Sequence, residues 1–291
     1  MTEQLKLMVV LAHPDDESLG MGGILARYAA EGVETYLITA TRGERGWFGD
    51  PAEYPGPTAL GQRREQELYA AADALGIGGV TFLDYLDGDL DRAEPTEAIG
   101  KIVSELRRLR PQVVVTFDSF GLYGHPDHIA ISQLTTAAVM AAANPAYLDP
   151  TKRPAHQVSK LYYRVMTQAE LDIYQAAFGD LVMHVDGVER RATAWQNWAI
   201  TSRIDTADYW PQVWRAVTCH QTQLPGYEVL RTLPAAQHQA LWGSQTFYRA
   251  FSLVNGGREM EPDLFAGLPL EVEPHLWSLP LFAKISQEVD A

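Results

Sequence analysis

The chain has 291 residues, of which 46% are hydrophobic and 21% charged, a composition that predicts an ordinary globular protein with a sizeable core. Its formal net charge of −14 and pI near 4.9 leave no basic surface for phosphates, so nucleic acid and anionic membranes are excluded as expected partners. Cys219 is the only cysteine, which excludes internal disulfides and cysteine-based zinc clusters, and a metal would need His, Asp or Glu ligands.

The first half of the chain alternates strands with helices. Short apolar runs that suit buried strands of a parallel sheet lie at 5–12, 33–40, 80–90 and 113–119, and amphipathic runs that predict helices lie at 18–32, 59–76, 94–111 and 125–144. This alternation predicts an α/β fold: a Rossmann-like, doubly wound, mostly parallel sheet with helices on both faces. The C-terminal part is less regular, with a strand at LYYRVM and a helix near 208–219.

The length predicts one domain. We expect a core over about residues 5–150, a substrate-shaping part over about 151–256 and a surface tail over about 257–291. The N-terminus lacks the regions of a signal peptide and no apolar run approaches the roughly 20 residues that span a bilayer, so a cytoplasmic protein is expected. A homo-oligomer is compatible with the sequence.

The tripeptide His-Pro-Asp occurs twice, each time after a β-branched apolar run, in AHPDDES (12–18) and in YGHPDHI (123–129). The carboxyl ends of parallel strands meet at one crevice, so the two segments should converge if their strands are neighbours. His13 and Asp16 from the first segment, with His128 from the second, form the nitrogen and oxygen ligand set that zinc accepts at catalytic sites. We therefore predict a Zn²⁺ site, which another divalent metal such as Fe²⁺ would also suit.

The remaining polar residues of these segments have predicted roles around the metal. A carboxylate beside a metal-activated water is suited to act as a general base, which is the role predicted for Asp15. Asp127 is expected to orient a neighbouring imidazole, and His125, one helical turn before His128, is expected to hold or donate a proton. A bound cation would also offset the repulsion among these carboxylates.

Structural explanations exist for the same residues. His-Pro-Asp also suits a helix N-terminus, with the acidic residue at the positive end of the helix dipole. Gly20, Gly22 and Gly23 resemble a dinucleotide-binding turn, but the preceding carboxylates would meet the pyrophosphate, so tight helix packing is the preferred explanation. Cys219 is expected to be a small packed residue rather than a nucleophile. Ordinary surface or packing roles are expected for the isolated histidines, His156, His184, His238 and His275.

The chain resembles the LmbE-like (PIG-L) family of zinc-dependent N-acetylglucosaminyl deacetylases over roughly residues 5–250. The resemblance rests on AHPDDE and on YGHPDH, with support from TRGE (41–44), RREQELYAAADALG (63–76) and HQTQ (220–223). It implies the same metal ligands and the same base as the chemistry above. It further implies that His125 assists the oxyanion and the leaving amine, that Tyr123 reaches the tetrahedral intermediate, and that Arg64 lies toward the sugar.

The resemblance implies removal of an acetyl group from a small N-acetylglucosamine-containing molecule, such as an inositol or malate conjugate. An amidase of thiol S-conjugates is the alternative at the same site. The amidase branch has a lysine just after its first motif, where this chain has Leu19, Gly20 and Met21, which favours a deacetylase. Loop 43–57, which contains Trp47, Phe48 and Tyr54, is a possible lid or an ordinary surface loop.

Two other classes of protein stay open from the residues alone. A metal-dependent phosphoesterase also uses His and Asp clusters, but it commonly holds two metals and needs more ligands than the two segments supply. A non-catalytic sugar-binding module would use the aromatic residues Trp195, Trp198, Trp210 and Trp214, which at this spacing are more typical of a core.

Overall fold

Strands and helices alternate through the first half of the computed structural model, which describes residues 4–149, 151–180, 182–185, 187–257 and 259–268. The strands are β1 (Lys6–Leu11), β2 (Glu34–Thr41), β3 (Gly79–Tyr85), β4 (Val113–Phe117), β5 (Lys160–Val165), β6 (Val182–Val185), β7 (Val188–Arg191), β8 (Ser202–Asp205) and β9 (Ser244–Ser252). The helices are α1 (Asp16–Leu19), α2 (Gly22–Ala30), α3 (Pro57–Leu75), α4 (Pro95–Leu109), α5 (Gly121–Gly124), α6 (Pro126–Ala143), α7 (Gln168–Phe178), α8 (Trp210–Cys219), α9 (Glu228–Thr232) and α10 (Ala235–Trp242).

The main sheet has seven strands in the order β3-β2-β1-β4-β5-β9-β8. The pairs from β3 to β5 are parallel, and β9 and β8 extend the sheet in antiparallel pairing. Strands β6 and β7 form a separate antiparallel hairpin. The predicted α/β fold with a mostly parallel, doubly wound sheet is confirmed, and the less regular C-terminal part contributes the two antiparallel strands.

Helices cover both faces of the sheet, so the central strands β1 and β4 consist mostly of buried apolar residues. Helix α4 packs against α6, while α2, α3 and α8 pack against one another as the other layer. Every residue from Leu7 to Leu11 is 0% exposed, and each such side chain contributes about 1.5–3 kcal/mol of hydrophobic burial. Strand β1 is therefore fixed in position, and with it the segment that follows its carboxyl end.

The helix ends follow the signals in the sequence. Helix α3 ends at Gly76, whose φ of 75° is the left-handed conformation that glycine adopts without strain. Its predicted apolar face is buried at Leu68, Ala71, Ala72 and Leu75.

No helix within the described ranges is both long and apolar enough to cross a membrane.

The segment predicted as a surface tail begins by packing against the sheet. Leu264 and Phe265 are buried in the core, and Glu261 is 5% exposed. The carboxylate of Glu261 lies 2.8 Å from Lys160 Nζ on β5 and 2.7 Å from Arg249 Nη1 on β9. The prediction was wrong for this stretch because the partners of Glu261 lie in strands that are distant in sequence; the rest of the predicted tail, 269–291, lies outside the described residues.

Candidate active site

The two His-Pro-Asp segments lie side by side. Strands β1 and β4 pair in parallel, with Leu7 opposite Val113 and Val9 opposite Val115, so the chain leaves both strands at the same edge of the sheet. Chain connections run outward in opposite directions from this pair, which makes it the switch point where doubly wound sheets bind ligands. The condition for the predicted metal site, that the two strands be neighbours, is met.

His13, Asp16 and His128 bring their donor atoms together. His13 Nδ1 lies 3.2 Å from His128 Nε2, and the Asp16 carboxylate lies 3.3 Å from His128 Nε2 and 3.6 Å from His13 Nδ1. Ligands in a tetrahedral zinc site with bonds of about 2.0–2.1 Å are separated by about 3.4 Å. The three donors therefore have the spacing and chemistry that fit one zinc-sized cation, and all three residues are buried.

Backbone and carboxylate contacts hold the first two of these side chains. Asp16 Oδ2 accepts hydrogen bonds from the backbone N–H groups of Ala12, at 3.3 Å, and His13, at 2.8 Å. His13 Nε2, the nitrogen that faces away from the donor cluster, lies 3.2 Å from Asp127 Oδ2 and 3.1 Å from Asp87 Oδ1. A carboxylate on the far nitrogen of a ligand histidine is the usual way in which that ring is oriented.

Asp127 occupies the position predicted for it, beside an imidazole. Its carboxylate is 0% exposed and accepts hydrogen bonds from the backbone N–H groups of Gly88, at 2.7 Å, and Leu90, at 3.2 Å. Although burial opposes its ionisation, the contact with His13 lowers the pKa of Asp127. The acidic turn after β3 therefore fixes Asp127, which in turn fixes the ring of His13.

His128 is held by stacking. Its ring lies parallel to that of Phe117, with 3.9 Å between centroids and 6° between planes. A side chain at Gly121, whose φ is 61°, would meet His128 Cβ at 2.7 Å, so this glycine is required both by its conformation and by the close approach. Although burial opposes ionisation of Asp16, His128 and His13 hold the pKa of Asp16 well below its usual range.

Asp15 lies next to this cluster in a strained conformation. Its φ is 111°, a region that non-glycine residues occupy at a cost of about 1–3 kcal/mol. Its Oδ2 accepts a hydrogen bond of 2.8 Å from the hydroxyl of Tyr227 and lies 3.5 Å from Arg64 Nη2. Burial raises the pKa of Asp15, which the Arg64 guanidinium opposes. Asp15 Oδ1 makes no hydrogen bond to a described residue, so it is the oxygen available to a ligand in the cavity.

Arg64 is more deeply buried than a sugar-contacting residue needs to be. It is 3% exposed and donates to the carbonyl oxygens of Gly43, at 3.0 Å, and Pro14. Gly43, in the TRGE segment, has a φ of 66°, and a Cβ there would lie 2.2 Å from the guanidinium. The structure thus brings Arg64 to Asp15, the predicted base, while the predicted contact of Arg64 with a sugar stays a prediction.

His125 and Tyr123 lie beside the donor cluster, with the ring of His125 4.6 Å from that of His13. His125 Nδ1 accepts a hydrogen bond of 3.1 Å from the backbone N–H of Asp127, so the neutral ring carries its proton on Nε2. Burial, together with the nearby His13 and His128, lowers the pKa of His125 to about 3, which keeps this ring neutral. The ring of Tyr123 lies 5.0 Å from that of His128, and burial raises the pKa of its hydroxyl well above the usual value.

Besides Asp87, the residues Glu17, His220 and Tyr227 of this region have no role in the sequence-based prediction. Glu17, at 0% exposure, pairs through Oε1 with His220 Nε2 at 2.7 Å, and its Oε2 accepts from the backbone N–H of Asp15 at 2.9 Å. Although burial opposes a charge on the ring, Glu17 raises the pKa of His220. Glu17 and His220 stand in the AHPDDE and HQTQ segments, which was the available signal, whereas Tyr227 lies in no motif.

Some of the residues singled out in the sequence have ordinary structural roles. His125 is the N-cap of α6 and Pro126 its first residue, so the second His-Pro-Asp segment also serves as a helix start. Cys219 is half-buried at the end of α8. His156 and His238 are buried packing residues and His184 is exposed, while His275 lies outside the described residues.

All of the predicted site residues except Asp127 line one cavity of about 380 Å³. Phe48 from loop 43–57 also lines it, whereas Trp47 faces a separate shallow surface depression. The sugar-binding alternative would use Trp195, Trp198, Trp210 and Trp214, and none of them lines the cavity. The ring of Trp214 instead stacks on that of His238, with 4.6 Å between centroids. The His and Asp groups of the described chain form overlapping triples that share His13, an arrangement suited to one metal rather than two.

Comparisons with known proteins agree with this geometry. Residues 8–139 match the family model described as PIG-L, GlcNAc-PI de-N-acetylase. A 1D-myo-inositol 2-acetamido-2-deoxy-alpha-D-glucopyranoside deacetylase from Geodermatophilus obscurus is 34% identical over 300 residues, which cover 92% of this chain and 100% of the relative. A mycothiol S-conjugate amidase from Streptomyces coelicolor is 30% identical over 297 residues, which cover 92% and 99%.

The solved structure of the conserved protein TT1542 from Thermus thermophilus superposes with a TM-score of 0.61 at 26% identity, covering 87% of this chain and 98% of that one. The predicted resemblance and the predicted class, an enzyme that hydrolyses an amide, are confirmed by the relatives. On the identity and coverage of these relatives, the chain belongs to the PIG-L family of GlcNAc-PI de-N-acetylases.

Proposed function

We propose that this chain is a metal-dependent hydrolase that removes the acetyl group from a small glycoside containing N-acetylglucosamine. The observation that carries the proposal is the convergence of His13, Asp16 and His128 within one cavity, with the carboxylate of Asp15 beside them. Two relatives of full length are named as a deacetylase and an amidase, which supports the same bond type. The chain works as one domain in this proposal, because its C-terminal strands complete the sheet that carries the site.

The proposed metal is zinc, held by His13, Asp16 and His128. When bound, zinc would supply Lewis acidity, which lowers the pKa of a water molecule toward about 7. Asp15 Oδ1 takes a proton as water adds to the acyl carbon, because Oδ2 is already engaged by Tyr227. The carbon–nitrogen bond then breaks, and the proton held on Asp15 passes to the leaving nitrogen, so that the products are the free amine and acetic acid.

His125 and Tyr123 are proposed to stabilise the negative charge that develops on the acyl oxygen. The neutral ring of His125 presents its Nε2–H to the cavity, since Nδ1 accepts from the backbone of Asp127. Tyr123 lines the same cavity, and its hydroxyl is proposed as the second donor. Donors that are fixed before the reaction stabilise such a charge without reorganisation.

The proposal is tested with metal-loaded protein and a panel of N-acetylglucosaminides, by assay for free primary amine. Asp15→Asn should keep about one metal per chain and lose about 10²–10⁴ in rate, the usual contribution of a general base. Asp73→Asn, on the exposed face of α3, is the matched control and should behave as wild type. Near-normal turnover of Asp15→Asn would contradict the role of Asp15, and two tightly bound metals would favour a phosphoesterase.

Hydrolysis of a thiol S-conjugate amide is the second candidate. The observation that favours it is the relative named mycothiol S-conjugate amidase, which this chain matches over 99% of that relative's length. A conjugate of this kind belongs in the same assay panel. A higher kcat/KM for the conjugate than for every simple N-acetylglucosaminide would assign the amidase activity.

A further inference from the structure

The cavity has one polar end and one apolar wall. The polar end is the donor cluster with Asp15, Asp87 and His125. The apolar wall is the part of the lining formed by side chains that offer carbon or sulfur surface, namely Leu19, Met166, Tyr174, Phe178, Val182 and Met183. Most of these residues come from α7, β6 and the end of β5, a region that lies outside the matched family segment 8–139.

The wall is continuous with the proposed base. The ring of Tyr227, whose hydroxyl donates to Asp15, lies 6.3 Å from the ring of Phe178. Phe178 in turn stacks on Tyr174 at 6.0 Å, and Phe48 lies 6.2 Å from Tyr227 on the other side. A group attached close to the scissile amide would therefore meet aromatic surface directly beyond Asp15.

The polar side chains along this wall are already engaged within the protein. Arg164 donates to the carbonyl oxygens of Gly20, at 3.1 Å, and Thr246, at 3.1 Å, and pairs with Glu170 at 3.2 Å. The amide nitrogen of Gln223 donates to Gly46 O at 2.8 Å.

The hydroxyl of Tyr174 donates to the carbonyl of Leu19 at 3.1 Å, which turns the ring of Tyr174 toward the cavity and uses its polar atom. A polyol on this wall would lose its hydrogen bonds to water and find few donors or acceptors among the described lining residues. Such a loss is costly, because a polar group that leaves water without a new partner keeps the full penalty of its desolvation.

We propose that the substrate carries an apolar group, alkyl or aryl, which binds against this wall next to the scissile amide. This inference rests on the proposed function and narrows its substrate class. The apolar group belongs either to the aglycone of the glucosaminide or to an acyl chain longer than acetyl. Either source presents the same chemistry to Phe178 and Met183.

The test uses two substrate series on the metal-loaded protein. In the first series, N-acetylglucosaminides carry methyl, butyl or hexyl aglycones, with an inositol glycoside for comparison. In the second series, the methyl glycoside carries an N-acetyl, N-butanoyl or N-hexanoyl group. Each buried methylene should raise kcat/KM about fourfold, so butyl to hexyl should give about fifteenfold in the series that reaches the wall.

The outcomes separate the inference from the proposed function. A rise along the aglycone series or along the acyl series supports the apolar wall and identifies the source of the group. Measurable turnover that is flat along both series, or highest for the inositol glycoside, overturns the inference and leaves the proposed function intact. The absence of product from every substrate overturns the proposed function and the inference with it.

Variants of Met183 test whether the preference for a substrate with an apolar group depends on this wall. Met183→Gln keeps the shape of the side chain and places an amide against the apolar group, so the hexyl-to-methyl ratio of kcat/KM should fall about fivefold. Met183→Leu should retain the ratio. Met140→Gln on the exposed face of α6 is the matched control, with an unchanged ratio. An unchanged ratio in Met183→Gln overturns the assignment to this wall.

Discussion

Removal of the hydroxyl of Tyr227 tests how the chain holds its proposed base. The hydroxyl donates to Asp15 Oδ2 at 2.8 Å, and Asp15 is only 8% exposed. A hydrogen bond to a charged group contributes about 1.5–3 kcal/mol, which corresponds to about tenfold to 150-fold in rate if it is used only to position the base. Arg64 Nη2 remains 3.5 Å from the same oxygen, so the lower value applies. We expect kcat of Tyr227→Phe to fall about tenfold, with KM nearly unchanged because the ring still lines the cavity.

Steady-state kinetics on an N-acetylglucosaminide measures this effect, with Tyr54→Phe as the matched control. Tyr54 is 41% exposed and donates to the carbonyl of Glu44 at 3.2 Å, away from the cavity lining. The double variant Asp15→Asn with Tyr227→Phe should be no slower than Asp15→Asn alone, because Tyr227 acts through that carboxylate. Additive losses in the double variant, or a changed KM with normal kcat in Tyr227→Phe, would refute the positioning role.

The remaining predictions concern loop 43–57, the C-terminal segment and pH. Phe48 lines the cavity and Trp47 does not, so Phe48→Ala should raise KM about threefold to tenfold, whereas Trp47→Ala should leave KM within about twofold. Equal changes in KM for the two variants in steady-state kinetics would contradict this. Glu261→Gln leaves the buried ammonium of Lys160 without its carboxylate partner, so the free energy of unfolding measured in urea should fall by about 3–5 kcal/mol. A second change, Lys160→Met, removes the unpaired charge and should restore most of this loss. Burial lowers the pKa of His156 to about 4 from 6.5, so the unfolded chain binds the extra proton and stability falls as pH drops through this window, by about 3 kcal/mol at pH 4. His156→Gln should lose this part of the pH dependence, and an unchanged difference in unfolding free energy between pH 7 and pH 4 would disprove it.

The convergence of His13, Asp16 and His128 could be predicted because it depends on local geometry and one topological rule. His13 and Asp16 belong to a single turn after a buried strand, and His128 follows the strand that pairs with it. The apolar runs of β1 and β4 identify both strands, and a doubly wound sheet brings their carboxyl ends together. Short-range patterns therefore carry enough information for the centre of the site.

The surroundings of the base could not be predicted in the same way. Tyr227 reaches Asp15 across 212 residues of sequence, and it lies between short helices with no periodic pattern. Loop 43–57 offers several aromatic residues in a glycine- and proline-rich setting, and only tertiary packing decides that Phe48 faces the cavity. Glu261 was expected at the surface because an acidic residue is rarely buried, but the partners that allow its burial come from β5 and β9.

The strain at Asp15 and the burial of Glu17 are two parts of one arrangement. Asp15 adopts a φ of 111°, which the surrounding contacts must stabilise, and the carboxylate of Glu17 does so by accepting the backbone N–H of Asp15 at 2.9 Å. Glu17 is 0% exposed, and its charge is offset by His220 at 2.7 Å instead of by the proposed cation. Glu17 fixes the backbone of Asp15 and Tyr227 fixes its carboxylate, so the proposed base is held in place before a substrate arrives. A base fixed in this way avoids reorganisation during the reaction, which is the physical reason to expect a strained residue at this position.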